Sequence, residues 1–363
     1  MTHLNELYLI LNKSLKWNKS HLKCFALIML VIILKQTCNL SSASKALPIK
    51  CLPQSFYRRM QRFFAGQYFD YRQISQLIFN MFSFDQVQLT LDRTNWKWGK
   101  RNINILMLAI VYRGIAIPIL WTLLNKRGNS DTKERIALIQ RFIAIFGKDR
   151  IVNVFADREF IGEQWFTWLI EQDINFCIRV KKNFIVTNHL GKNHKISDLF
   201  RHLKVGQIEC RKRRILVGRV KLYISALQLE NGELLLVVSP QFNANAIQDY
   251  ELRWEIETLF SCLKGRGFNL ENTRLTDPRR VKKLIAVLAI SFCWCYLTGE
   301  WQHNQKKAIK IKKHGRLSMS LFRYGLDYVQ MAIQRLIGFG KKEEFKEILA
   351  ILRKQNPDRI RVL

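Results

Sequence analysis

The sequence predicts a mixed α/β protein with helical regions at both ends, and three observations carry that reading. Between Val87 and Val180 the apolar pattern runs strand, strand, strand, helix, strand, helix, strand, the order of a mixed sheet with packed helices. One of these strands, Ile151 to Asp157, is nearly continuous in apolar residues, as the centre of a sheet covered on both faces requires. Outside the strand-rich middle of the chain, helical periodicity takes over.

The first 85 residues read as short helices, broken at Asn39-Leu40-Ser41-Ser42, around Pro48 and Pro53, and at Gly66. Ser55 to Phe64 forms a basic helix bearing Arg58, Arg59 and Arg62, which suits either a helix-turn-helix or a plain helical bundle. From Val87 to Asp92 apolar and polar residues alternate, placing Asp92 on the polar face of a half-buried strand. Asn102–Tyr112 and Ile115–Leu124 flank a turn at Arg113-Gly114 and complete a meander. A helix over Asp131–Phe146, capped at Asn129-Ser130-Asp131 and closed by Gly147, precedes the Ile151 strand, at whose end Asp157 emerges. A helix over Glu159–Glu171 and a strand over Asn175–Val180 follow. Residues 181–246 look like an inserted, basic, β-rich module in which Ile215–Leu229 faces Glu233–Pro240 across Glu230-Asn231-Gly232.

Composition bounds the function. The chain of 363 residues carries a net charge of +32, which calls for a polyanionic partner, and at 48% hydrophobic it is no disordered basic tail. The charge is segregated: residues 1–91 hold 11 Lys+Arg and 3 Asp+Glu, residues 179–221 hold 13 and 2, and residues 279–363 hold 19 and 6. These blocks supply the whole excess, and the intervening stretches together sum to zero. Eight cysteines without a CxxC pair indicate reduced thiols and a cytoplasmic protein, and the histidines, His189, His194 and His202 among them, form no zinc pattern. The apolar runs Cys24–Leu34 and Leu284–Leu297 fall short of the roughly 20 residues of a spanning helix and read as buried core helices, with no membrane partner.

The most informative stretch is Tyr250-Glu251-Leu252-Arg253-Trp254-Glu255-Ile256-Glu257, continuing to Lys264. On an ideal helix Tyr250, Arg253, Glu257 and Lys264 share an arc of roughly 60°, with Leu252, Ile256, Leu259, Phe260 and Leu263 largely opposite. An isolated Arg253–Glu257 spacing is an ordinary surface ion pair. A four-residue stripe with two strand-end aspartates upstream is a different matter. Trp254 is expected to pack against the insertion in preference to stacking on a base, and Glu251 and Glu255 to point away from the stripe. Glu159 is expected beside Asp157 or as a charge at a helix start.

These residues resemble the DDE transposases of bacterial insertion sequences, in the insertion-sequence-four-like family marked by Y-(2)-R-(3)-E-(6)-K. Tyr250, Arg253, Glu257 and Lys264 match that signature without a gap, and Asp157-Arg158-Glu159 and Leu91-Asp92-Arg93 match the surroundings of its two aspartates. The resemblance covers Val87 to Asp277 and, more loosely, a tail segment from Gly315 to Gly325. It implies an RNase H-like mixed sheet interrupted by a β-rich insertion. The organisation would be a helical DNA-binding region over 1–85, a first core part over 86–180, the insertion over 181–246, a second core part with the Glu helix over 247–300, and a basic helical region over 301–363.

The resemblance further implies cleavage at transposon ends and strand transfer into target DNA, on double-stranded DNA carrying terminal inverted repeats, by a homodimer on paired ends. Asp92, Asp157 and Glu257 would be the catalytic and metal-holding carboxylates. Two Mg²⁺ or Mn²⁺ ions about 3.5–4 Å apart stabilise charge on the entering and leaving oxygens of such a reaction, and hard carboxylate oxygens select those metals. Asp92 would be shared between them. Tyr250, Arg253 and Lys264 would contact DNA. Relatives that cut through a hairpin hold a flipped base on an insertion Trp, whereas residues 181–245 contain none; Phe184 and Tyr223 are the aromatic alternatives. A transposase-derived DNA-binding protein without activity and a purely hydrolytic nuclease of the same fold are the competing readings.

Overall fold

The computed structural model describes residues 2–47, 51–187, 191–313 and 315–353; Pro48, around which a break was expected, and His189 lie outside the described residues. In chain order α1 (Thr2–Ser14), α2 (Lys19–Lys35), α3 (Leu40–Ala43), α4 (Pro53–Gly66) and α5 (Tyr71–Phe82) lead to strands β1 (Val87–Trp98), β2 (Arg101–Tyr112) and β3 (Ile115–Leu123). Next come α6 (Thr132–Phe146), β4 (Ile151–Ala156), α7 (Glu163–Glu171) and β5 (Phe176–Arg179). Strands β6 (Ile185–Thr187), β7 (Asn193–Lys195), β8 (Ile208–Cys210), β9 (Ile215–Val217), β10 (Val220–Gln228) and β11 (Leu234–Ser239) follow. After them run α8 (Ala246–Glu251), a 3-10 turn at Leu252–Trp254, α9 (Glu255–Leu263), α10 (Pro278–Gln305), α11 (Leu321–Phe339) and α12 (Glu343–Arg353).

The chain divides into two compact units: a helical one, Met1–Phe84, Asn95–Ile103 and Leu259–Leu363, and a sheet unit, Asp85–Thr94 and Asn104–Thr258. In the helical unit α4 buries Phe56, Met60, Phe63 and Phe64 at helical spacing and leaves Arg58 and Arg62 exposed. Pro53 opens it at a position where no amide hydrogen is needed. The helix before it, α3, has only four residues.

Helix α10 begins at Pro278 and is capped by Asp277, whose Oδ1 accepts from the backbone of Arg279 at 2.8 Å and Arg280 at 3.3 Å. Its 28 residues give it length and apolarity enough to cross a membrane, yet every residue from Leu284 to Leu297 is buried. Its neighbour α11 approaches so closely that a Cβ on Gly325 would overlap the Cys295 carbonyl oxygen, and one on Gly299 the Leu321 carbonyl oxygen.

Among the described residues the sheet has eleven strands in the order β3-β2-β1-β4-β5-β11-β10-β9-β6-β7, with β8 on β10. β1, β4 and β5 are parallel neighbours, and β2–β3 is an antiparallel hairpin. The strands after Lys181 continue the same sheet, β11 pairing with β5 through Val237–Arg179 and Val238–Ile178. The long strand expected from Ile215 is split at Gly218, whose φ of 65° breaks it into β9 and β10.

Helix α6 starts one residue inside the expected boundary, on a capping box in which Asp131 and Glu134 exchange hydrogen bonds with each other's backbone. Helix α7 starts at Glu163, four residues later than its periodicity suggests. The backbone between is held in a loop instead, because Arg135 takes the carbonyls of Glu159 (2.9 Å) and Ile161 (3.2 Å).

Candidate active site

Parallel register brings the two aspartates together. Leu91 of β1 pairs with Ala156 of β4, so Asp92 and Asp157 stand one step further on, side by side where that parallel pairing ends; Asp157 follows the last residue of β4, whereas Asp92 lies midway along β1 and not at a strand end as the sequence suggested. Each carboxylate is braced locally: Asp92 accepts from the Arg93 amide and Asp157 from the Arg158 amide, both at 2.6 Å.

The third carboxylate arrives on a broken helix. The stretch expected to be one helix from Tyr250 to Lys264 consists of α8, the 3-10 turn and α9, and the turn changes which side chains face the sheet. Tyr250 and Arg253 are buried, at 4% and 2% exposure, instead of lining an open face. Thr90 Oγ1 reaches the Arg253 carbonyl at 3.5 Å, fastening the turn to β1. From there Arg253 Nη1 donates to Asp92 Oδ2 at 3.2 Å and Nη2 to Glu257 Oε1 at 2.5 Å. The Tyr250 hydroxyl lies 3.5 Å from Asp157 Oδ1. One guanidinium and one phenol therefore link all three sequence-predicted carboxylates.

Burial pushes the Asp92 carboxyl up to about 7, with Glu159 and Asp157 adding to the rise and Arg253 opposing it. Burial also pushes the Tyr250 hydroxyl up, which keeps it protonated and able to donate. Lys264 falls in the helical unit, where it pairs with Glu271 at 2.7 Å and lies 5.9 Å from the Trp96 ring.

Several residues outside the signature shape the site. Arg93 holds Glu159 with two hydrogen bonds of 3.1 Å and reaches Asn104 at 3.1 Å, so Glu159 is an ion-pair partner rather than a helix-start charge. Arg135 donates to Ser130 as well as to the loop carbonyls after Asp157, which fixes where that loop leaves β4. Its signal was present: Arg135, Leu138, Ile139 and Phe142 form the buried stripe of α6, and an arginine on an apolar stripe needs acceptors.

Glu255 is buried too. Its two oxygens accept from the amides of Tyr112 and Gly114, each at 2.8 Å, tying α9 to the β2–β3 turn, and burial pushes its carboxyl up to about 7. Glu251 is exposed. Trp254 is 59% exposed, which corrects the expectation that it packs against the inserted strands; one face instead covers the Arg253 guanidinium, 4.7 Å from its centroid.

Among the described residues no group of three or more His, Cys, Asp or Glu side chains is arranged to hold a metal ion, since Arg253 takes an oxygen from both Asp92 and Glu257. The donor set still suits one. It consists of hard carboxylate oxygens, and the most buried of them, Asp92, resists ionisation with a single guanidinium as its counter-charge.

The site therefore consists of two carboxylates brought together by adjacent parallel strands of an α/β sheet and a third on a following helix. The family model for the transposase DDE domain matches residues 83–294, more than half of the chain, and the chain belongs to that family. No curated protein matches it. A cryo-EM structure of a piggyBac transposase synaptic complex with hairpin DNA is similar at 13% identity, over 98% of this chain and 84% of that one, with a TM-score of 0.45.

Proposed function

We propose that the protein is an insertion-sequence transposase of the insertion-sequence-four-like group, which cleaves DNA at the ends of its element and joins the freed 3′ ends to target DNA. The observation that carries the reading is the bridging of Asp92 and Glu257 by Arg253 beside the contact of Tyr250 with Asp157, which draws on β1, the residue after β4, and α9. On this reading the parallel centre β1–β4–β5 is an RNase H-like core, and double-stranded DNA, as terminal inverted repeats and as target, is the substrate of a homodimer.

Asp92, Asp157 and Glu257 would hold two Mg²⁺ or Mn²⁺ ions, with Asp92 shared. When bound, such ions supply an activated water and stabilise charge on both oxygens of the displacement. The chain's own residues do the rest. Arg253 holds Asp92 and Glu257 at a fixed spacing, and Tyr250 orients Asp157. Their burial favours this carboxylate-holding role over direct contact with DNA. Lys264 stays a phosphate contact, and Trp254, with its exposed ring, is placed to meet a base.

The test is cleavage of a plasmid carrying the gene with its native flanking DNA, in Mg²⁺ or Mn²⁺, by wild type and Glu257→Gln. Nicks at the element ends that vanish in the variant support the reading. Equal binding by both proteins with no cutting by either overturns it in favour of a DNA-binding protein without activity.

A further inference from the structure

The guanidinium that joins two of the carboxylates also takes the oxygens a cation would need. Asp92 engages the Arg93 amide through Oδ1 at 2.6 Å and Arg253 Nη1 through Oδ2 at 3.2 Å, so both of its oxygens are committed. Glu257 meets the other arm of Arg253, Nη2, through Oε1 at 2.5 Å. The Arg253 side chain between them is buried and lies against the Trp254 ring, 4.7 Å from its centroid. Its remaining nitrogen, Nε, is buried as well and has no hydrogen-bond partner among the described residues. A buried arginine built only into a scaffold finds an acceptor for each nitrogen, as Arg135 does for Nε, Nη1 and Nη2. Arg253 is matched only where it faces the two carboxylates.

We infer that Arg253 is a place-holder for the divalent cation, a guanidinium that occupies Asp92 Oδ2 and Glu257 Oε1 and is displaced from them when Mg²⁺ or Mn²⁺ binds. The inference rests on the reading of these carboxylates as metal-holding. Two carboxylates in a largely buried site need a counter-charge, and the guanidinium supplies one unit spread over a plane. A divalent ion brings two units to a point and needs the same oxygens, so the two cations exclude each other. Exchange begins at Glu257, whose side chain is 42% exposed against 15% for Asp92. The spacing that Arg253 fixes is thus that of the protein before the ion arrives. A residue that only pre-set the spacing would strengthen ion binding, whereas a place-holder opposes it.

The test is Mn²⁺ binding to the chelator-stripped full chain, with free ion counted by electron paramagnetic resonance, so that neither DNA nor cleavage is involved. Arg253→Gln should bind Mn²⁺ about tenfold or more tightly than wild type, because a positive charge competing for the same oxygens is gone. Arg158→Gln removes equal charge from the residue after Asp157, where the exposed guanidinium pairs with Glu233 at 3.4 Å, and should change binding less than about threefold. A second readout leaves Arg253 in place and decides alone if Arg253→Gln does not fold. Mg²⁺ added to wild type should shift the tryptophan emission as the guanidinium leaves the Trp254 ring, and Trp254→Phe should lose that shift while still binding Mn²⁺. Binding by Arg253→Gln equal to or weaker than wild type, tightening matched by Arg158→Gln, or Mg²⁺ bound without a Trp254 signal each overturns the place-holder alone. Mn²⁺ binding absent from every protein, or unchanged in Glu257→Gln, overturns the metal reading itself and the inference with it.

Discussion

Asp92 and Arg253 form a buried ion pair across 161 positions of chain, Oδ2 to Nη1 at 3.2 Å, joining the middle of β1 to a 3-10 turn. The second arm of the same guanidinium reaches Glu257, so one side chain couples two carboxylates that the sequence places far apart. Removing one member of such a pair leaves a buried charge unmatched. Arg253→Ala is expected to cost about 3 kcal/mol, and Arg253→Lys to recover little of it, because an ammonium cannot bridge both acceptors. Urea denaturation of the three proteins checks this; a Lys variant equal to wild type would show that the bridge carries no weight.

The Asp92 carboxyl runs the other way. Its folded value, about 7, lies above the roughly 3.9 of an unfolded aspartate, so the folded state binds its proton more tightly. Stability is therefore favoured by protonation and falls as pH rises from about 4 to 7. Asp92→Asn should be more stable than wild type at pH 8 in chelator, by on the order of 1–3 kcal/mol, and the gap should close toward pH 4. The same variant should fail to cut. A stability gap independent of pH would mean that Asp92 is not the group that burial strains.

These two predictions concern the part of the candidate site that was legible. Asp157 can be read because an apolar run that stops at an acid has few other meanings, Asp92 because alternation marks the polar face of a strand that in fact runs on to Trp98, and the Tyr-Arg-Glu spacing is local. What the spacing could not show is the 3-10 turn at Leu252–Trp254, which buries Tyr250 and Arg253 and exposes Trp254. A helical wheel assumes an unbroken helix. Nor could it show Glu255 reaching the β2–β3 turn, a contact set by tertiary packing. The inserted strands were recognised as β but not as extensions of the main sheet, because pairing of β11 with β5 leaves no local trace.

Gly325 tests the helical unit. Since a Cβ there would overlap the Cys295 carbonyl, backbone against backbone, no side-chain rotation relieves it. Gly325→Ala is expected to cost about 3 kcal/mol or more as α10 and α11 are forced apart. Gly338→Ala on the same helix has open space around its added Cβ and should be neutral or slightly stabilising. Paired thermal melts distinguish them, and equal melting points would remove the close crossing as a stability determinant.

Trp254 separates structural from DNA-facing roles. At 59% exposure it contributes little packing beyond its contact with Arg253, so Trp254→Ala should change stability by no more than about 1 kcal/mol. If its outer face meets a base, cleavage should fall tenfold or more while Trp254→Phe retains most of it. A variant that loses stability and activity in proportion would place the ring in the scaffold instead.

Glu255 offers the sharpest division between holding a catalytic group and being one. Both of its oxygens are committed to backbone amides at 2.8 Å, and it stands two residues before Glu257 on the same short helix. Glu255→Gln keeps one acceptor but turns an amide group toward a donor, so one hydrogen bond is lost and a buried N–H is left unpaired, at a cost of about 1–3 kcal/mol. The start of α9, and Glu257 with it, then loses its tie to the β2–β3 turn. Cleavage should drop with a raised requirement for divalent metal, and excess Mg²⁺ or Mn²⁺ should restore much of it. In Glu257→Gln, where a carboxylate oxygen itself is missing, excess metal should restore nothing. If the Glu255 variant responds to metal as the Glu257 variant does, its carboxylate takes part in the chemistry, and the hydrogen bonds to Tyr112 and Gly114 give way when DNA binds.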